Sequence, residues 1–257
     1  MLFRSLTVAS NPTGAQVAIN EISGGAPLTK TAVIGSTNTI SAPSPQTIGG
    51  SAYAFGSWSD GGAQTHNVVA PATATTYTAT FNLQTTGTFG TNTVGASIDT
   101  ASANLKEVSS YTAVASNVTK LTGYVSGLGK TSGSQKIKAV IYGDNGGNPG
   151  PLLGVSNEVT MNAGAAWAWK DFTFATPVAV QGGTIWMGYI ASTTSDLTQL
   201  RYDTSAGELR YNLNSGGYAA GPSNPFGTPT LSNKHYSLYA TYTTTGRAVA
   251  RMTSSRG

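Results

Sequence analysis

Apolar and polar residues alternate along most of this chain, and short turn sequences interrupt the alternation. The pattern is clearest in the segments Leu6–Ser10, Gln16–Asn20, Thr76–Phe81, Lys136–Tyr142 and Ser237–Tyr242. Turn sequences recur about every 8–12 residues, and no stretch has a convincing helical period. A period of two places successive side chains on opposite faces of a strand. The pattern therefore predicts an all-β protein built from antiparallel β-sandwiches rather than from alternating strands and helices.

Composition narrows the function classes further. Charged residues make up 9% of the 257 residues, against ~25% in an ordinary soluble domain. Cysteine is absent, which excludes disulfides, thiolate catalysis and Cys-ligated zinc. The two histidines, His66 and His235, offer little for zinc or triad chemistry. No run approaches the ~18 apolar residues of a membrane span, so we expect no membrane insertion.

The net charge of +4 suggests an acidic partner, but its distribution does not. Four arginines lie in the two end segments: Arg4, Arg247, Arg251 and Arg256. Without them, ten basic residues balance ten acidic residues. The body of the chain therefore lacks the basic surface that nucleic-acid binding requires.

Two domains are expected, separated by a short polar linker near residues 82–88. The first would span residues 6–82 and the second residues 88–244. The segments 1–5 and 246–257 differ in composition from the body, and we interpret them as non-native or disordered ends of a fragment from a longer protein.

Three motifs follow one another in the first domain. They are a turn in Asn11–Val17, a central segment in Tyr53–Gly62 and a final strand in Thr76–Phe81. In this order they resemble the divergent internalin-type B-repeat of bacterial surface and secreted proteins. In that family a P-x-G turn begins the fold, F-x-x-W-S-D-G-G lies mid-module and Y-T-A-x-F closes it. The resemblance implies a spacer or adhesive module, with Trp58 in its core.

A second succession of motifs lies in the second domain. The segment Tyr142–Leu153 reads Y-x-D-x-x-G-x-P-G-x-L-L, Trp167–Val178 contains W-x-x-F-x-F-x-x-P-V, and Gly183–Tyr189 reads G-x-x-W-x-G-Y. This succession resembles extracellular bacterial jelly-roll modules of secreted, anchored and polysaccharide-associated proteins. The resemblance implies a jelly-roll fold and an extracellular location, but a fold does not fix an activity.

Polar residues concentrate in residues 199–212, which the pattern predicts to be a hairpin. Its two strands would place five polar side chains on one face: Arg201, Asp203, Glu208, Arg210 and Asn212. Such groups both donate to and accept from the hydroxyls of a sugar. The alternative is an exposed ladder of diagonal ion pairs, Arg201 with Glu208 and Asp203 with Arg210.

Aromatic residues are the other candidate ligand contacts. Trp167 and Trp169 are two positions apart and are expected on one strand face, where they could stack on sugar rings or pack in a core. Tyr218, in a Gly/Pro-rich loop, could border the ligand or simply fill the connection. For Trp186 we favour a core position.

Metal binding and catalysis have little support. Asp144, Asn145 and Asn148 could supply oxygens to Ca²⁺, but Asn and Gly there are also explained by a hairpin turn. We therefore predict no metal site and no cofactor, with structural calcium as a minor alternative. Asp203 and Glu208 are the only plausible carboxylate pair for glycoside hydrolysis, and neighbouring arginines would hold both ionised. No catalytic residues are predicted.

The sequence thus predicts two tandem antiparallel β-sandwiches, the second a jelly roll. The expected function is a monomeric, non-catalytic extracellular module that binds a polysaccharide or cell-surface glycan. One alternative is a purely structural or adhesive stalk, in which Trp167, Trp169 and Tyr218 would all be buried. The other is a jelly-roll glycan hydrolase or lyase, which would need two carboxylates or a Tyr/Arg pair converging in a cleft.

Overall fold

The computed structural model describes residues 2–245, and these residues form an all-β protein, as the alternation predicts. They divide into two compact units. Unit 1 contains the residues up to Thr85 together with Thr245, and unit 2 contains Thr86–Thr244. Met1 and residues 246–257 lie outside the described residues, so the expectation for the C-terminal end stays a prediction.

The expected linker is wrong, and the N-terminal residues, which were expected to be non-native or disordered, are ordered. Residues 82–87 do not form a polar linker but belong to a strand, Thr75–Gly90, because Thr and aromatic residues continue the alternation past the apolar stretch. Residues 2–5 are not disordered either. Phe3, Arg4 and Ser5 pair with a neighbouring strand, and the Arg4 side chain donates to the Ala72 carbonyl oxygen at 2.8 Å.

Unit 1 consists of two sheets that face each other. Its strands are β1 (Phe3–Asn11), β2 (Gln16–Ile19), β3 (Ile22–Gly25), β4 (Leu28–Val33), β5 (Thr37–Ser41), β6 (Gln46–Ile48), β7 (Ser51–Trp58), β8 (Thr65–Val69) and β9 (Thr75–Gly90). One sheet has the order β4-β1-β9-β7-β6 and the other β3-β2-β5-β8. The first strand, β1, lies beside the last, β9, and this pair is parallel, whereas the other described pairs of the unit are antiparallel.

The core of unit 1 forms between these sheets from the inward residue of each alternating pair. Leu6, Val8, Ile40 and Phe81 are fully buried there. Trp58 is 3% exposed, which confirms the core position expected for it, and its indole nitrogen donates to the Gln64 carbonyl oxygen at 3.1 Å.

Unit 2 contains the remaining strands. They are β10 (Ser97–Thr100), β11 (Leu105–Ala113), β12 (Ser116–Ser126), β13 (Ser134–Asp144), β14 (Pro149–Val155), β15 (Val159–Asn162), β16 (Ala168–Val180), β17 (Gly183–Ala191), β18 (Gln199–Asp203), β19 (Leu209–Leu213), β20 (Thr230–Ser232), β21 (His235–Tyr236) and β22 (Leu238–Thr245). A short 3₁₀ helix spans Tyr218–Ala220.

These strands form two sheets, which we call the front and back sheets. In the front sheet β12 pairs with β16 on one side and with β22 and β18 on the other, while β18 also pairs with β10 and β21. The back sheet has the order β14-β13-β17-β11-β19-β20, with β15 beside β13. The pairs within both sheets are antiparallel.

The main core of unit 2 collects the inward residues of both sheets. Leu121, Phe172 and Leu238 come from the front sheet, and Ile141 and Met187 from the back sheet. At ~25 cal/mol per Å² of buried apolar surface, a continuous cluster of this kind is the main source of the unit's stability.

A second, smaller cluster lies on the other face of the back sheet. Trp186 and Tyr142 are buried there beneath Tyr218 and Phe226, which belong to the segment between β19 and β20. Trp186 is 2% exposed, so the expected core position is confirmed, although its partners come from a covering loop.

Candidate functional site

The hairpin expected at residues 199–212 does not form. Strand β18 lies in the front sheet and β19 in the back sheet, so residues 204–208 cross from one to the other. Leu200 and Leu209 are each 1% exposed and reach the same core from opposite sides. Alternation indicates which residues point inward, and that pattern is the same whether the two strands form one hairpin or lie in opposite sheets.

The five polar residues of that segment therefore do not share a face, and neither diagonal ion pair is present among the described residues. Glu208 lies 2.7 Å from His235 Nδ1. Asn212 donates to the Phe226 carbonyl oxygen at 2.8 Å and thereby fastens the covering loop. The structure thus gives Glu208 and Asn212 contacts away from the front sheet's outer face.

Arg210 has a similar supporting position on the back sheet. Its guanidinium carbon lies 5.0 Å from the Trp186 ring centroid, and its Nε donates to Asn148 Oδ1 at 2.9 Å. A further N–H donates to the Gly147 carbonyl oxygen at 3.2 Å. Arg210 closes the buried cluster around Trp186 and is not arranged for a ligand.

The same contacts bear on the calcium alternative for the loop after β13. Asp144 Oδ1 accepts a hydrogen bond from the Trp186 indole at 2.8 Å, and Oδ2 accepts one from the Gly147 amide at 3.1 Å. Asn148 Oδ1 accepts from Arg210. These oxygens are engaged by N–H donors, and the nearby guanidinium charge opposes a cation, so this loop fits its role as a hairpin turn.

Tyr218 is not available as a stacking platform. Its side chain is 8% exposed, its hydroxyl donates to Glu158 Oε2 at 3.0 Å, and its amide donates to Asn104 Oδ1 at 2.8 Å. The Lys138 ammonium covers its ring at 5.0 Å from the centroid. The prediction that Tyr218 contacts the ligand is therefore wrong, because the loop that carries it folds onto the back sheet.

Trp167 and Trp169 lie on the outer face of the front sheet, and both are half-buried. Tyr124 contacts both: its ring centroid is 5.7 Å from Trp167, with an interplanar angle of 10°, and 5.2 Å from Trp169. Tyr239 lies 5.3 Å from Trp169 on the other side. We call these four residues the front aromatic surface.

Strand register explains why these rings meet. Trp169 lies opposite Tyr124 on the β16–β12 pair, and Tyr239 lies opposite Thr122 on the β22–β12 pair. Their neighbours Leu121 and Leu238 point the other way, into the core. Cross-strand neighbours on one face are close enough for aromatic side chains to touch.

Arg201 joins this surface from β18. Its guanidinium carbon lies 4.7 Å from the Trp167 ring centroid, and Nη1 donates to the Ala96 carbonyl oxygen at 3.1 Å. The cation covers the Trp167 ring, while the Trp169 ring has tilted neighbours. Trp169 is therefore the more open platform, and Trp167 supports Arg201.

Polar groups accompany the aromatic rings. Asp171 accepts hydrogen bonds from Thr122 and the Lys120 ammonium, each at 2.7 Å. Although burial favours its neutral form, these bonds hold the pKa of Asp171 below its usual value. Asp203 accepts from the Ala96 amide at 2.9 Å and is exposed. The face thus combines flat apolar rings with charged donors and acceptors.

A separate polar cluster, which the sequence did not indicate, lies between the sheets beside β10. The Tyr236 hydroxyl contacts Asp99 Oδ2 at 2.8 Å and also Glu107 Oε2, while the Lys234 ammonium pairs with Asp99 at 2.6 Å. Burial, and next the charge of Asp99, raise the pKa of Glu107 to about 7. Asp99 and Glu107 both line a cleft of about 200 Å³.

Tyr124 and Tyr239 were also not predicted as site residues. In each strand the neighbouring residue faces the core, so the alternation indicates that these tyrosines point outward. Their contact with Trp169 could not be predicted, because β12 pairs with β16 and β22, which are far from it in sequence. No group of three or more acidic or histidine side chains suited to a metal occurs within residues 2–245.

Comparison with protein-family models finds no match to this chain, and comparison with curated proteins finds none either. Across residues 2–245, no helix has the length and apolar character needed to cross a bilayer. The choice of a candidate site therefore depends on the side-chain geometry, which favours the front aromatic surface.

Proposed function

We propose that the chain is a glycan-binding module and that the front aromatic surface is its binding face. The observation that carries this proposal is the position of Trp169, half-exposed on the outer side of a sheet between Tyr124 and Tyr239. Trp58 and Trp186, by contrast, are buried. A large aromatic residue that the core does not use is available to a ligand.

The chemistry of the face suits a sugar. Aromatic rings pack against the C–H groups of a pyranose, and the hydroxyls of that pyranose need donors and acceptors beside the rings. Arg201 supplies donors and Asp203 supplies acceptors at one edge, while Lys120 and Asp171 supply both at the other. The binding face itself performs no chemistry on the glycan.

The location that fits this function is outside a bacterial cell, as a monomeric part of a larger secreted or surface protein. The scarcity of charge and the resemblance of both domains to extracellular modules support that location. Unit 2 would be the jelly-roll binding module, and unit 1 the spacer. A purely structural stalk is less well supported, since it required Trp167, Trp169 and Tyr218 all to be buried, and two of them are not.

A retention assay on immobilised polysaccharides tests the proposal directly. The full chain should be retained by at least one polymer of a panel, and Trp169→Ala should bind it at least ~10-fold more weakly, as expected for an aromatic contact at the centre of a site. Phe3→Ala is the matched control, because Phe3 is an exposed aromatic residue of unit 1. Retention that Trp169→Ala leaves intact contradicts the proposed face.

One observation favours a second candidate, a glycan hydrolase. Asp99 and Glu107 contact the same Tyr236 hydroxyl, so their oxygens are at most two hydrogen bonds, or ~6 Å, apart, close to the spacing of retaining glycosidases. An acid with a pKa of about 7 beside a carboxyl group that pairs with the Lys234 ammonium suits that chemistry. Reducing sugar released from the panel, and lost in both Asp99→Asn and Glu107→Gln, would establish it.

A further inference from the structure

Arg201 is a cation without a counter-ion among residues 2–245. Within the part of the chain that the structure describes, no carboxylate lies within ion-pair distance of it. Three lysines of the same unit show the contrast, since Lys120, Lys136 and Lys234 pair with Asp171, Glu158 and Asp99 at 2.6–2.8 Å. The positive charge at the edge of the front aromatic surface is therefore not neutralised by any described carboxylate.

The guanidinium also has unused hydrogen-bonding capacity. Its Nη1 donates to the Ala96 carbonyl oxygen, but Nε is buried and has no acceptor among the described residues. A guanidinium carries five N–H groups, so a single neutral acceptor leaves most of them free. The buried Nε is closed to a ligand, so the donors left for a ligand are the N–H groups of the two terminal nitrogens, Nη1 and Nη2.

The acidic residue nearest in the strand does not supply that acceptor. Asp203 lies two positions after Arg201 and on the same face, but its Oδ1 accepts from the Ala96 amide. Arg201 and Asp203 therefore bind the carbonyl oxygen and the amide of the same residue, Ala96, instead of each other.

The direction of the guanidinium is fixed before any ligand arrives. The Trp167 ring lies 4.7 Å below it, and Trp167 is itself stacked on Tyr124. Cation–π contact and the bond to Ala96 together restrict an otherwise flexible side chain. A donor group restricted in its bound direction loses less entropy when a ligand binds, which favours affinity.

We propose that the ligand of the front aromatic surface is an acidic glycan, whose anionic group binds Arg201 while a neighbouring sugar ring packs on Trp169. This inference rests on the proposed function. The planar guanidinium matches a carboxylate or sulfate better than it matches single hydroxyls, because two N–H groups can meet two anionic oxygens. A polyuronate presents such a carboxylate on every sugar, next to the ring face that stacks.

The sharpest test changes only the charge of the ligand. Polygalacturonate and its fully methyl-esterified form have the same backbone, and only the first carries carboxylates. Affinity electrophoresis of the full chain should show at least ~10-fold tighter binding to polygalacturonate, with a preference that weakens as salt rises. Dextran sulfate and dextran form a second pair that separates sulfate recognition from carboxylate recognition.

Variants of Arg201 complete the test. Arg201→Gln should weaken binding to the anionic polymer by ~10-fold or more, and by clearly more than it weakens binding to the neutral partner, where only hydrogen bonds to hydroxyls are lost. Arg201→Lys should be intermediate, since a lysine keeps the charge but loses the planar pair of N–H donors. Arg4→Gln is the matched control: it removes the same charge from an exposed arginine of unit 1, which bonds only to backbone carbonyls. Near-ultraviolet circular dichroism checks that the tryptophan packing is retained.

The outcomes separate the two proposals. Equal binding to charged and neutral polymers overturns the acidic-glycan inference and leaves the glycan-binding function standing. Equal weakening on both polymers by Arg201→Gln also overturns it, because Arg201 would then act on neutral hydroxyls or on the position of Trp167 and not on an anionic group. Retention by no polymer at all contradicts the proposed function itself.

Discussion

The Tyr236 hydroxyl lies between two carboxyl groups, 2.8 Å from Asp99 Oδ2 and in hydrogen-bond contact with Glu107 Oε2. One hydroxyl has one proton to donate, so the second contact needs a proton from a carboxylic acid. Asp99 is paired with the Lys234 ammonium, whereas Glu107 is buried and its pKa is raised to about 7. Glu107 is therefore the acid that donates to Tyr236, and Tyr236 donates to Asp99.

This proton makes the stability of unit 2 depend on pH. The pKa of Glu107 rises from 4.5 to about 7 on folding. Its contribution to the free energy of unfolding is therefore fully present below pH 4.5 and is lost as the pH rises to 7. The expected loss in the free energy of unfolding is about 3 kcal/mol over that window. Urea denaturation followed by tryptophan fluorescence in a Trp58→Phe background measures it, since the remaining tryptophans all lie in unit 2.

Glu107→Gln supplies the comparison for that measurement. The glutamine can still donate to Tyr236 but does not titrate, so the decline between pH 4.5 and 7 should disappear in the variant. If the free energy of unfolding declines equally with pH in the unchanged protein and in Glu107→Gln, the assignment of the proton to Glu107 is contradicted.

Asn214 holds the loop that covers Trp186. It is 3% exposed, donates to the carbonyl oxygens of Gly217 and Gly221 at 2.6 and 2.7 Å, and accepts from the Ser223 amide at 2.8 Å. Asn214→Ala leaves three backbone groups without partners and should lower the free energy of unfolding by about 2–4 kcal/mol.

The same denaturation assay checks this value, with Asn157→Ala as the control. Asn157 is exposed and its side chain makes one hydrogen bond, to Thr173 at 3.1 Å. Its replacement should cost less than about 1 kcal/mol. Similar losses for both variants would show that the Asn214 network does not hold the loop.

Calcium should not stabilise the protein. The oxygens of Asp144 and Asn148 already accept hydrogen bonds from Trp186, Gly147 and Arg210, so a cation would have to displace all of these contacts. Thermal melts in millimolar calcium chloride and in chelator should therefore give the same Tm. A rise in Tm with calcium that Asp144→Asn abolishes would restore the calcium site.

The two tryptophans of the front aromatic surface should differ in their contributions. Trp169→Ala removes the open platform, whereas Trp167→Ala removes the support beneath Arg201. On a neutral polymer we expect Trp169→Ala to weaken binding more, by at least ~10-fold, and on an acidic polymer we expect both to weaken it. Affinity electrophoresis on matched polymers compares them, and equal effects on the neutral polymer are evidence against the separate roles.

Local patterns in the sequence predicted local features correctly. Alternation predicted the all-β fold, and the spacing of two predicted that Trp167 and Trp169 share a face. The burial of Trp58 and Trp186 followed from the large apolar area that their rings remove from water.

Long-range pairing was not readable in the same way. Leu200 and Leu209 satisfy the alternation whether β18 and β19 form one hairpin or lie in opposite sheets, so the predicted polar face was wrong. Tyr124 reaches Trp169 only because β12 pairs with β16. Asp99 and Glu107 lie on consecutive strands, but Tyr236 joins them from 137 and 129 positions later in the chain, so the cluster has no local signature.

Hydroxyl-radical footprinting of the full chain, with and without a polysaccharide that retains it, shows whether the front aromatic surface is the binding face. We expect protection of Trp167, Trp169, Tyr124 and Tyr239, and unchanged reactivity of the buried Trp58, Trp186 and Tyr218. Protection confined to other residues, with the front aromatic surface as reactive as in the free protein, would contradict it.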